Sequence, residues 1–219
     1  YFEPDGRFPN HEADPLKHEN LVDLRKAVLE ARADLGIAFD GDGDRAVFVD
    51  ETGEVIPADL LTALFCEVIL DRKLLGAGAN AAMLYDLRSS RVVPETLRAR
   101  GAVAIRSRVG HAFMKAVMRE RGACFGGELS GHYYFNFPSG YIGDDGAAAM
   151  MLLLEAIGAL ADRRASSVLR AAFEQHAGDE LSTVAARGIG RRHLAGVEIG
   201  QFRRHLLVQL ARPRVEGAG

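Results

Sequence analysis

The sequence predicts an α/β protein, and three observations lead to that fold class. Short apolar runs bounded by glycine or polar residues alternate with longer segments whose apolar residues recur at helical spacing. A strand, a helix and another strand follow one another between residues 80 and 109, which predicts parallel pairing. The chain has 219 residues, of which 48% are hydrophobic and 26% charged, so it can bury a substantial core.

The composition also limits which kinds of binding partner and cellular setting we expect. The net charge of −3 gives no general reason to expect nucleic acid or an anionic membrane surface, so we expect neither as a partner. The apolar runs fall short of a membrane span. Cys66 and Cys124 have neither metal-ligand nor redox-motif spacing, which predicts reduced, buried thiols and fits a cytoplasmic protein. Because the chain opens at Tyr1 without a methionine, we expect a fragment of a longer protein.

The first third of the chain predicts a helix, two strands and a second helix. We expect Asn20 to cap a helix that Gly36 ends before a strand over 37–39. The apolar residues that recur at helical spacing there are Leu21, Leu24, Val28 and Leu35. A second strand over 46–49, a turn at 52–53 and a strongly apolar helix over 58–72 follow.

The rest of the chain continues the alternation. The predicted segments are a strand over 82–87, a helix over 93–100, a strand over 102–106, a helix over 112–121, an extended segment over 123–137, and helices over 147–162 and 166–175. We expect Phe113, Val117 and Met118 to form the apolar face of the helix over 112–121. Beyond residue 183 the chain is rich in arginine and loses periodicity, apart from an apolar patch over 206–210.

A run of alternating aspartates and glycines, Asp-Gly-Asp-Gly-Asp-Arg over 40–45, joins the first two predicted strands. The carboxylates of Asp40, Asp42 and Asp44 repel one another, and an oxygen-preferring divalent cation such as Mg²⁺ relieves such repulsion. The intervening glycines allow the backbone to coil so that the three carboxylates converge. Arg45 adds a fixed cation that would attract phosphate oxygens.

Two other metal folds compete for this loop. A calcium-binding EF-hand would match the three aspartates and Glu51, but its sixth position needs glycine and holds Arg45, and the flanks are strand-like. A phosphatase with an aspartyl nucleophile would use the later pair Asp144 and Asp145 to complete a Mg²⁺ site. That pair is equally well explained as a helix N-terminus, where acidic residues favour the exposed amides, so this alternative stays open.

A second polar motif, Gly-Gly-Glu-Leu-Ser-Gly-His over 126–132, lies in the extended segment. Alternation along a strand places Glu128, Ser130 and His132 on one face, where they offer an acceptor, a hydroxyl and a titratable ring. Such groups suit sugar hydroxyls, although a hairpin with incidental polar residues explains the motif equally well.

Two basic strand ends are weaker candidates. Arg108 precedes Gly110 and His111 at a helix start, where backbone amides and a guanidinium can bind an anion. Arg88 follows Asp86 in a similar position. Each pattern is also consistent with an ordinary strand terminus or helix cap.

Taken together, the DGDGDR loop, the GGELSGH motif, the VGH helix start and the opening DGRFPNHEADP…ENL resemble the α-D-phosphohexomutase family, in its phosphomannomutase/phosphoglucomutase branch. The resemblance runs from about residue 2 to residue 184. It implies mixed β-sheets sandwiched by helices: the latter half of family domain 2 over 1–57, domain 3 over 58–177, and the start of a truncated or diverged domain 4 over 178–219.

The resemblance also assigns roles to the motif residues. Asp40, Asp42 and Asp44 would hold the catalytic Mg²⁺, and Glu128 and Ser130 would contact sugar hydroxyls. The residues with catalytic roles would be Arg45, His111 and His132, and further substrate contacts would come from Arg88, Arg108 and Gly110. Leu129 within the motif is more similar to the mannose and glucose branch than to the glucosamine branch.

The implied reaction is reversible transfer of phosphate between the C6 and C1 oxygens of mannose or glucose phosphate through a bisphosphate intermediate. Members of the family carry a phosphorylated serine in a segment similar to TASHNP, which this chain lacks, and a phosphate-binding loop in domain 4, which the arginine-rich end does not resemble. Arg88 stands where many members have lysine. We therefore expect this chain to supply metal and sugar contacts without completing turnover; the alternatives are a non-catalytic phosphosugar-binding module and the aspartyl phosphatase.

Overall fold

The computed structural model describes residues 6–78, 80–158 and 206–210, and it confirms the predicted α/β class with mixed sheets sandwiched by helices. The elements follow in the order α1 (Val22–Ala31), β1 (Leu35–Phe39), β2 (Ala46–Asp50), α2 (Ala58–Arg72), β3 (Ala82–Asp86), α3 (Val92–Ala99), β4 (Val103–Ser107), α4 (His111–Arg121), β5 (Phe125–Gly127), β6 (Tyr133–Asn136), β7 (Ile142–Asp144), α5 (Gly146–Gly158) and β8 (Leu206–Leu210). Short 3-10 helices precede α1 (His18–Leu21) and follow α2 (Leu74–Gly76).

The smaller sheet has the strand order β2-β1-β8. β1 and β2 form an antiparallel pair in which Phe39 lies opposite Ala46, so residues 40–45 form the loop at the end of the hairpin. The backbone of β8 pairs in parallel with β1 on its other edge. Alternate residues of β1 face opposite layers: Ile37 packs in the cluster that contains α2 and α5, whereas Ala38 packs in the cluster that contains α1.

The larger sheet has the strand order β4-β3-β5-β6-β7. β3 pairs in parallel with β4 and β5, and β5, β6 and β7 are joined by antiparallel pairing. The predicted parallel pairing of the third and fourth strands is therefore confirmed. Helices α2 and α3 pack on one face of this sheet, and Met114 and Met118 of α4 pack on the other with Leu84 and Tyr134.

Helix α2 ties the two sheets together because it is apolar on nearly all sides. Its buried Phe65 makes edge-on contacts with Phe125 of β5, at 6.2 Å between ring centroids, and with Tyr133 of β6, at 5.1 Å. Phe48 of β2 belongs to the same core and lies 6.4 Å from Tyr133. A continuous hydrophobic core thus holds β1 and β2 of the smaller sheet close to β5 and β6 of the larger sheet. The loops that connect these strands form the candidate site.

Several predicted details are wrong, for local reasons. Asn20 does not cap α1; its amide donates instead to the carbonyls of Glu12 and Asp14, 3.1 and 2.8 Å away. The helix ends at Arg32 in a left-handed conformation, and Leu35 and Gly36 belong to β1. In α4, Phe113 was predicted to be buried but is 43% exposed, and the neighbouring Met114 is buried instead.

The helix predicted over 58–72 is confirmed at both ends, and the other predicted elements up to residue 158 agree to within a few residues. The apolar patch over 206–210 is β8. The helix predicted over 166–175 and the rest of the arginine-rich segment lie outside the described residues. Among the residues that are described, no helix has the length and apolar character needed to cross a membrane.

Candidate active site

The loop over 40–45, called here the aspartate loop, brings the three predicted metal ligands together. One carboxylate oxygen from each of Asp40, Asp42 and Asp44 lies within 4.8 Å of the other two. The three side chains differ in exposure: Asp40 is buried at the end of β1, Asp44 is partly buried and Asp42 is exposed. The loop therefore offers three converging oxygen ligands, which range in exposure from the buried Asp40 to the exposed Asp42.

Asp40 is held by the loop itself. Its Oδ1 accepts hydrogen bonds from the backbone amides of Gly43 and Arg45, both at 3.1 Å, and its Oδ2 accepts one from Arg45 Nε at 2.5 Å. Burial acts to raise the pKa of Asp40, but the hydrogen bonds and charge of Arg45 outweigh it, so the pKa lies below its usual value. Asp40 is therefore a preformed carboxylate anchor.

Asp44 has the opposite electrostatic character. Burial, and then the negative charges of Asp40, Asp42 and Asp144, raise its pKa from 3.8 to about 7. Arg45 is shared between Asp40 and Asp14, whose Oδ1 accepts from Nη1 at 3.2 Å, so a single guanidinium faces several carboxylates. The residues present thus fit a divalent cation, because an added positive charge would relieve this repulsion.

A second loop lies against the aspartate loop. Residues 128–132, called here the ELSGH loop, connect β5 to β6, and a backbone bridge pairs His132 with Arg45. The amide of Ala46 also donates to the carbonyl of Gly131 at 3.0 Å. Gly131 has φ +82°, and a Cβ there would lie 3.0 Å from the carbonyl oxygen of Ala46, so this close approach requires glycine.

The three polar side chains predicted to share a face do converge. Ser130 Oγ lies 3.0 Å from His132 Nδ1 and 3.4 Å from Glu128 Oε2. His132 Nε2 lies 3.5 Å from Asp44 Oδ1, which links this row to the aspartate loop. Burial lowers the pKa of His132 below its usual value, although the nearby carboxylate of Glu128 opposes that shift. The ring of His132 is therefore neutral and able to accept a proton.

Glu128 is more enclosed than the sequence predicted. Only 1% of its surface is exposed, its Oε1 accepts from the amide of Gly110 at 2.6 Å, and its Oε2 accepts from Tyr134 Oη at 2.8 Å. Gly110 immediately precedes α4, so the protein's own carboxylate occupies an amide expected to be available to an external anion. Tyr134 was not predicted; a tyrosine two residues after a histidine in a buried-type strand is the only signal for it.

The structure adds Asp144 to this neighbourhood. Oxygen or nitrogen ligand atoms of Asp44, His132 and Asp144 lie within 4.8 Å of one another. Asp144 also forms an ion pair with Lys115 Nζ at 2.6 Å. The acidic pair predicted as a helix start is divided: Asp145 Oδ1 accepts from the amide of Ala148 at 2.9 Å and caps α5, whereas Asp144 ends β7 beside the site. The sequence contained the acidic pair but not this division.

The remaining predicted residues lie around the ELSGH loop. The guanidinium of Arg88 is hydrogen-bonded to the buried Asp86, and that of Arg108 lies 4.1 Å above the ring of Phe113. His111 is the exposed first residue of α4. Within the described part of the chain, no hydrogen bond or ion pair connects Arg108 or His111 to the three aspartates.

Comparison with protein families gives two adjoining matches. Residues 57–176 match the family described as phosphoglucomutase/phosphomannomutase, alpha/beta/alpha domain III. Residues 1–53 match alpha/beta/alpha domain II of the same family. The aspartate loop lies in the first of these segments along the chain, and the ELSGH loop lies in the second.

Individual relatives agree with these matches. The chain is 50% identical over 132 residues to a phosphomannomutase of Methanocaldococcus jannaschii, which covers 60% of this chain and 28% of that protein. It is 38% identical over 174 residues to a phosphomannomutase/phosphoglucomutase of Pseudomonas aeruginosa PAO1, which covers 79% of this chain and 36% of that protein. A crystal structure of a phosphoglucomutase/phosphomannomutase family protein from Burkholderia thailandensis superposes with a TM-score of 0.70 at 36% identity, over 77% of this chain and 35% of that one. The chain thus spans about a third of the length of the relatives it matches.

Proposed function

The chain belongs to the phosphoglucomutase/phosphomannomutase family, as its sequence motifs predicted, and we propose that it forms the metal-binding and sugar-contacting part of a phosphohexomutase active site. The proposed reaction is reversible Mg²⁺-dependent transfer of a phosphoryl group between the C6 and C1 oxygens of mannose or glucose phosphate through a bisphosphate. In domain terms, residues 1–57 would be the later part of domain 2, residues 58–177 domain 3, and residues 178–219 the start of a domain 4.

One observation carries this proposal: the backbone bridge between Arg45 and His132. It joins the carboxylates that suit a divalent cation to the loop that carries Glu128, Ser130 and His132. A phosphosugar has both a charged phosphate and a set of hydroxyls, and the two loops offer complementary groups for each within one site. Neither loop alone would distinguish a phosphosugar from a simple anion or a neutral sugar.

The aspartate loop supplies the phosphate side of the site. Asp40, Asp42 and Asp44 would hold Mg²⁺, which when bound would neutralise developing charge on phosphoryl oxygens. Arg45 is oriented by its bonds to Asp40 and Asp14, so its guanidinium is fixed beside the metal ligands without the entropy cost of ordering it. Phosphoryl transfer depends mainly on such positioning and charge neutralisation.

The ELSGH loop supplies the sugar side of the site. Ser130 and Glu128 would bind sugar hydroxyls, with Glu128 exchanging its present partners, Gly110 and Tyr134, for the ligand or sharing them with it. His132, kept neutral by burial, would accept the proton of the hydroxyl that attacks phosphorus. His111, as an exposed residue at the start of α4, would act as a ligand contact or second proton-transfer group at the entrance.

Anion binding away from the metal would come from Arg88, Arg108 and, once Glu128 exchanges partners with the ligand, the backbone amide of Gly110. These groups border the ELSGH loop on the side of α4 and the β3–α3 connection. The substrate phosphate that is not being transferred carries charge that these cations would balance.

The aspartyl phosphatase alternative is weakened by the surroundings of Asp40. A carboxylate nucleophile must approach phosphorus directly, but Asp40 is 3% exposed and its Oδ2 is paired with the guanidinium of Arg45, which makes that oxygen less nucleophilic. The lone pairs that its hydrogen bonds leave free could still bind a cation. The second candidate, a non-catalytic module that binds metal and phosphosugar, uses the same contacts and differs from the mutase only in turnover.

Binding and turnover measurements on the purified chain test the proposal. We expect Mg²⁺ binding by calorimetry, and glucose 1-phosphate should then perturb the amide signals of residues 128–132 in NMR spectra. Asp42→Asn should weaken Mg²⁺ binding with little effect on stability, because Asp42 is exposed. A chain that binds neither Mg²⁺ nor glucose 1-phosphate would contradict the proposal.

Product analysis separates the alternatives. Incubation with glucose 1-phosphate, glucose 1,6-bisphosphate and Mg²⁺ should yield no glucose 6-phosphate unless the phosphoserine domain and the phosphate-binding domain of a relative are both added. Restored turnover on that addition would distinguish a mutase part from a non-catalytic module. Release of inorganic phosphate that Asp40→Asn abolishes would instead support the phosphatase.

A further inference from the structure

A fully buried carboxylate at the end of β3, Asp86, lies between two of the proposed substrate-binding segments. Its exposed fraction is 0%, and its two oxygens accept hydrogen bonds from different parts of the chain. Oδ1 accepts from the amides of Arg88 and Ser89, at 3.1 and 2.8 Å, and from Ser89 Oγ at 2.8 Å. These bonds close the turn that follows β3, which is a common role for an aspartate at a strand end.

Oδ2 has a different set of partners. It accepts from Arg88 Nε at 2.9 Å, from Arg88 Nη2 at 2.7 Å, and from the amide of Leu129 at 3.2 Å. The last bond crosses from β3 to the ELSGH loop, 43 residues later in the chain. A single buried oxygen therefore holds both a guanidinium that would meet substrate phosphate and the peptide that follows Glu128.

We propose that Asp86 is a positioning residue that sets the orientation of Arg88 and the conformation of the ELSGH loop together, so that binding of the substrate's anionic and hydroxyl groups depends on one carboxylate. This inference rests on the proposed function, because it concerns the same hexose phosphate site. It adds a role for a residue that does not itself contact substrate.

The burial of the partners supports this role. The Arg88 side chain is 41% exposed while the carboxylate that holds it is not exposed at all, so one face of the guanidinium is fixed by the protein and the rest is presented outward. Burial alone would raise the pKa of Asp86, but the bonds from Arg88, Ser89 and Leu129 lower it below its usual value. The carboxylate therefore stays ionised and remains an acceptor for both segments.

Asp50 provides a matched comparison within the same chain. It also ends a strand, is 9% exposed, and its Oδ1 accepts from the amide and hydroxyl of Thr52 and the amide of Glu54, at 2.9, 2.7 and 3.0 Å. It therefore closes a turn as Asp86 does. Asp50 lies at the opposite end of β2 from the aspartate loop, so its loss should cost stability without affecting ligand binding.

The test compares Asp86→Asn with Asp50→Asn. An asparagine can keep its carbonyl oxygen in the turn, where Oδ1 lies, but its amide nitrogen would then replace Oδ2 and face the donors of Arg88 and Leu129. In NMR spectra of the full chain, we expect Asp86→Asn to speed hydrogen exchange of the Leu129 amide and the Arg88 Nε–H by about tenfold or more. Asp50→Asn should leave both signals unchanged.

A binding measurement extends the test to the ligand. With saturating Mg²⁺, we expect Asp86→Asn to weaken glucose 1-phosphate binding by about tenfold or more, since bonds to charged groups are lost. Arg88→Ala should weaken binding as well, and the two effects should not add in the double variant, because Asp86 acts partly through Arg88. Fully additive effects, or unchanged binding in Asp86→Asn, would overturn the proposal.

The two readouts keep the proposals separate. If the wild-type chain does not bind glucose 1-phosphate, the proposed function fails, while the exchange rates of Leu129 and Arg88 still decide whether Asp86 positions both segments. If those rates are the same in wild type and Asp86→Asn, the positioning role is refuted whatever the affinity. Accelerated exchange that also appears in Asp50→Asn would show only a general loss of stability and would likewise refute it.

Discussion

Gly146, the first residue of α5, packs directly on the aspartate loop, and its replacement by alanine should damage both the fold and the metal site. Its amide donates to the carbonyl of Gly43 at 3.1 Å. A Cβ at this position would lie 2.7 Å from the carbonyl oxygen of Gly43 and 3.0 Å from that of Arg45. These two oxygens are backbone atoms, which cannot turn aside as the end of a flexible side chain can, and the Cβ would also lie 2.9 Å from Cδ1 of the buried Phe39 ring.

The size of the effect follows from that geometry. Ordinary van der Waals contact begins at 3.4 Å, so the helix start and the loop must separate by about 0.7 Å. Forcing extra volume into a packed site costs about 1–3 kcal/mol. For a chain of this size, each kcal/mol lowers Tm by about 2–4 °C. A shift of the loop that supports the metal ligands should also weaken Mg²⁺ binding by about tenfold or more.

The assay pairs Gly146→Ala with Gly158→Ala in the same helix. A Cβ at Gly158 meets no atom within 4 Å, so alanine there should leave the free energy of unfolding unchanged or raise it by up to about 1 kcal/mol through helix propensity. Urea unfolding followed by circular dichroism measures the stability of each variant, and calorimetry measures Mg²⁺ affinity.

The reasoning would be refuted if Gly146→Ala were as stable as Gly158→Ala and bound Mg²⁺ with wild-type affinity. Loss of stability with unchanged Mg²⁺ affinity would show that the helix start moves while the aspartate loop does not. That result would contradict the coupling between α5 and the metal ligands.

Four further predictions follow from the core and the aspartate loop. The pKa of Asp44 is raised from 3.8 to about 7, so the free energy of unfolding without metal should fall as the pH rises from about 4 to about 7. Urea unfolding across that range measures this trend, and the free energy of unfolding of Asp44→Asn should depend less on pH. For the same reason Mg²⁺ should bind more weakly at about pH 6 than at about pH 8 and release protons on binding, which calorimetry in two buffers can measure. Arg45→Met leaves the 3% exposed carboxylate of Asp40 without its guanidinium, so we expect a loss of about 1–3 kcal/mol in urea unfolding, partly recovered by Mg²⁺; an unchanged midpoint would contradict this. Phe65→Ala removes a ring that is 0% exposed and should destabilise the chain by about 3–5 kcal/mol, whereas Phe113→Ala, at 43% exposure, should cost far less.

Local sequence signals predicted the elements best where packing and propensity agree. The helix over 58–72 is apolar on most sides, begins after Pro57 and is confirmed at both ends. The parallel pairing of β3 and β4 followed from the strand-helix-strand order. In α4, by contrast, Phe113 and Met114 are both apolar, and only the position of the helix against Leu84 and Tyr134 decides that Met114 is buried.

The polar residues show the same division more sharply. Asn20 is a residue type that often caps helices, but its side-chain amide donates instead to two carbonyls of the preceding loop, those of Glu12 and Asp14. The pair Asp144 and Asp145 has the chemistry of a helix start, yet only Asp145 performs that role. A polar side chain with several possible partners binds those that the tertiary structure brings near it. The sequence does not show which partners these will be.

The sequence by itself determined the ligand chemistry: three carboxylates in a short loop between two strands, and a second loop with an acid, a hydroxyl and a histidine. These are properties of consecutive residues, so spacing and backbone freedom are enough to predict them. Only the tertiary structure decided that Arg45 pairs with His132, that Asp144 lies beside Asp44, and that Asp86 connects Arg88 to Leu129. The first two contacts arise because a shared hydrophobic core brings the ends of strands from two sheets together, and the third arises because β3 and β5 lie side by side in the larger sheet. No local pattern in the sequence encodes either arrangement.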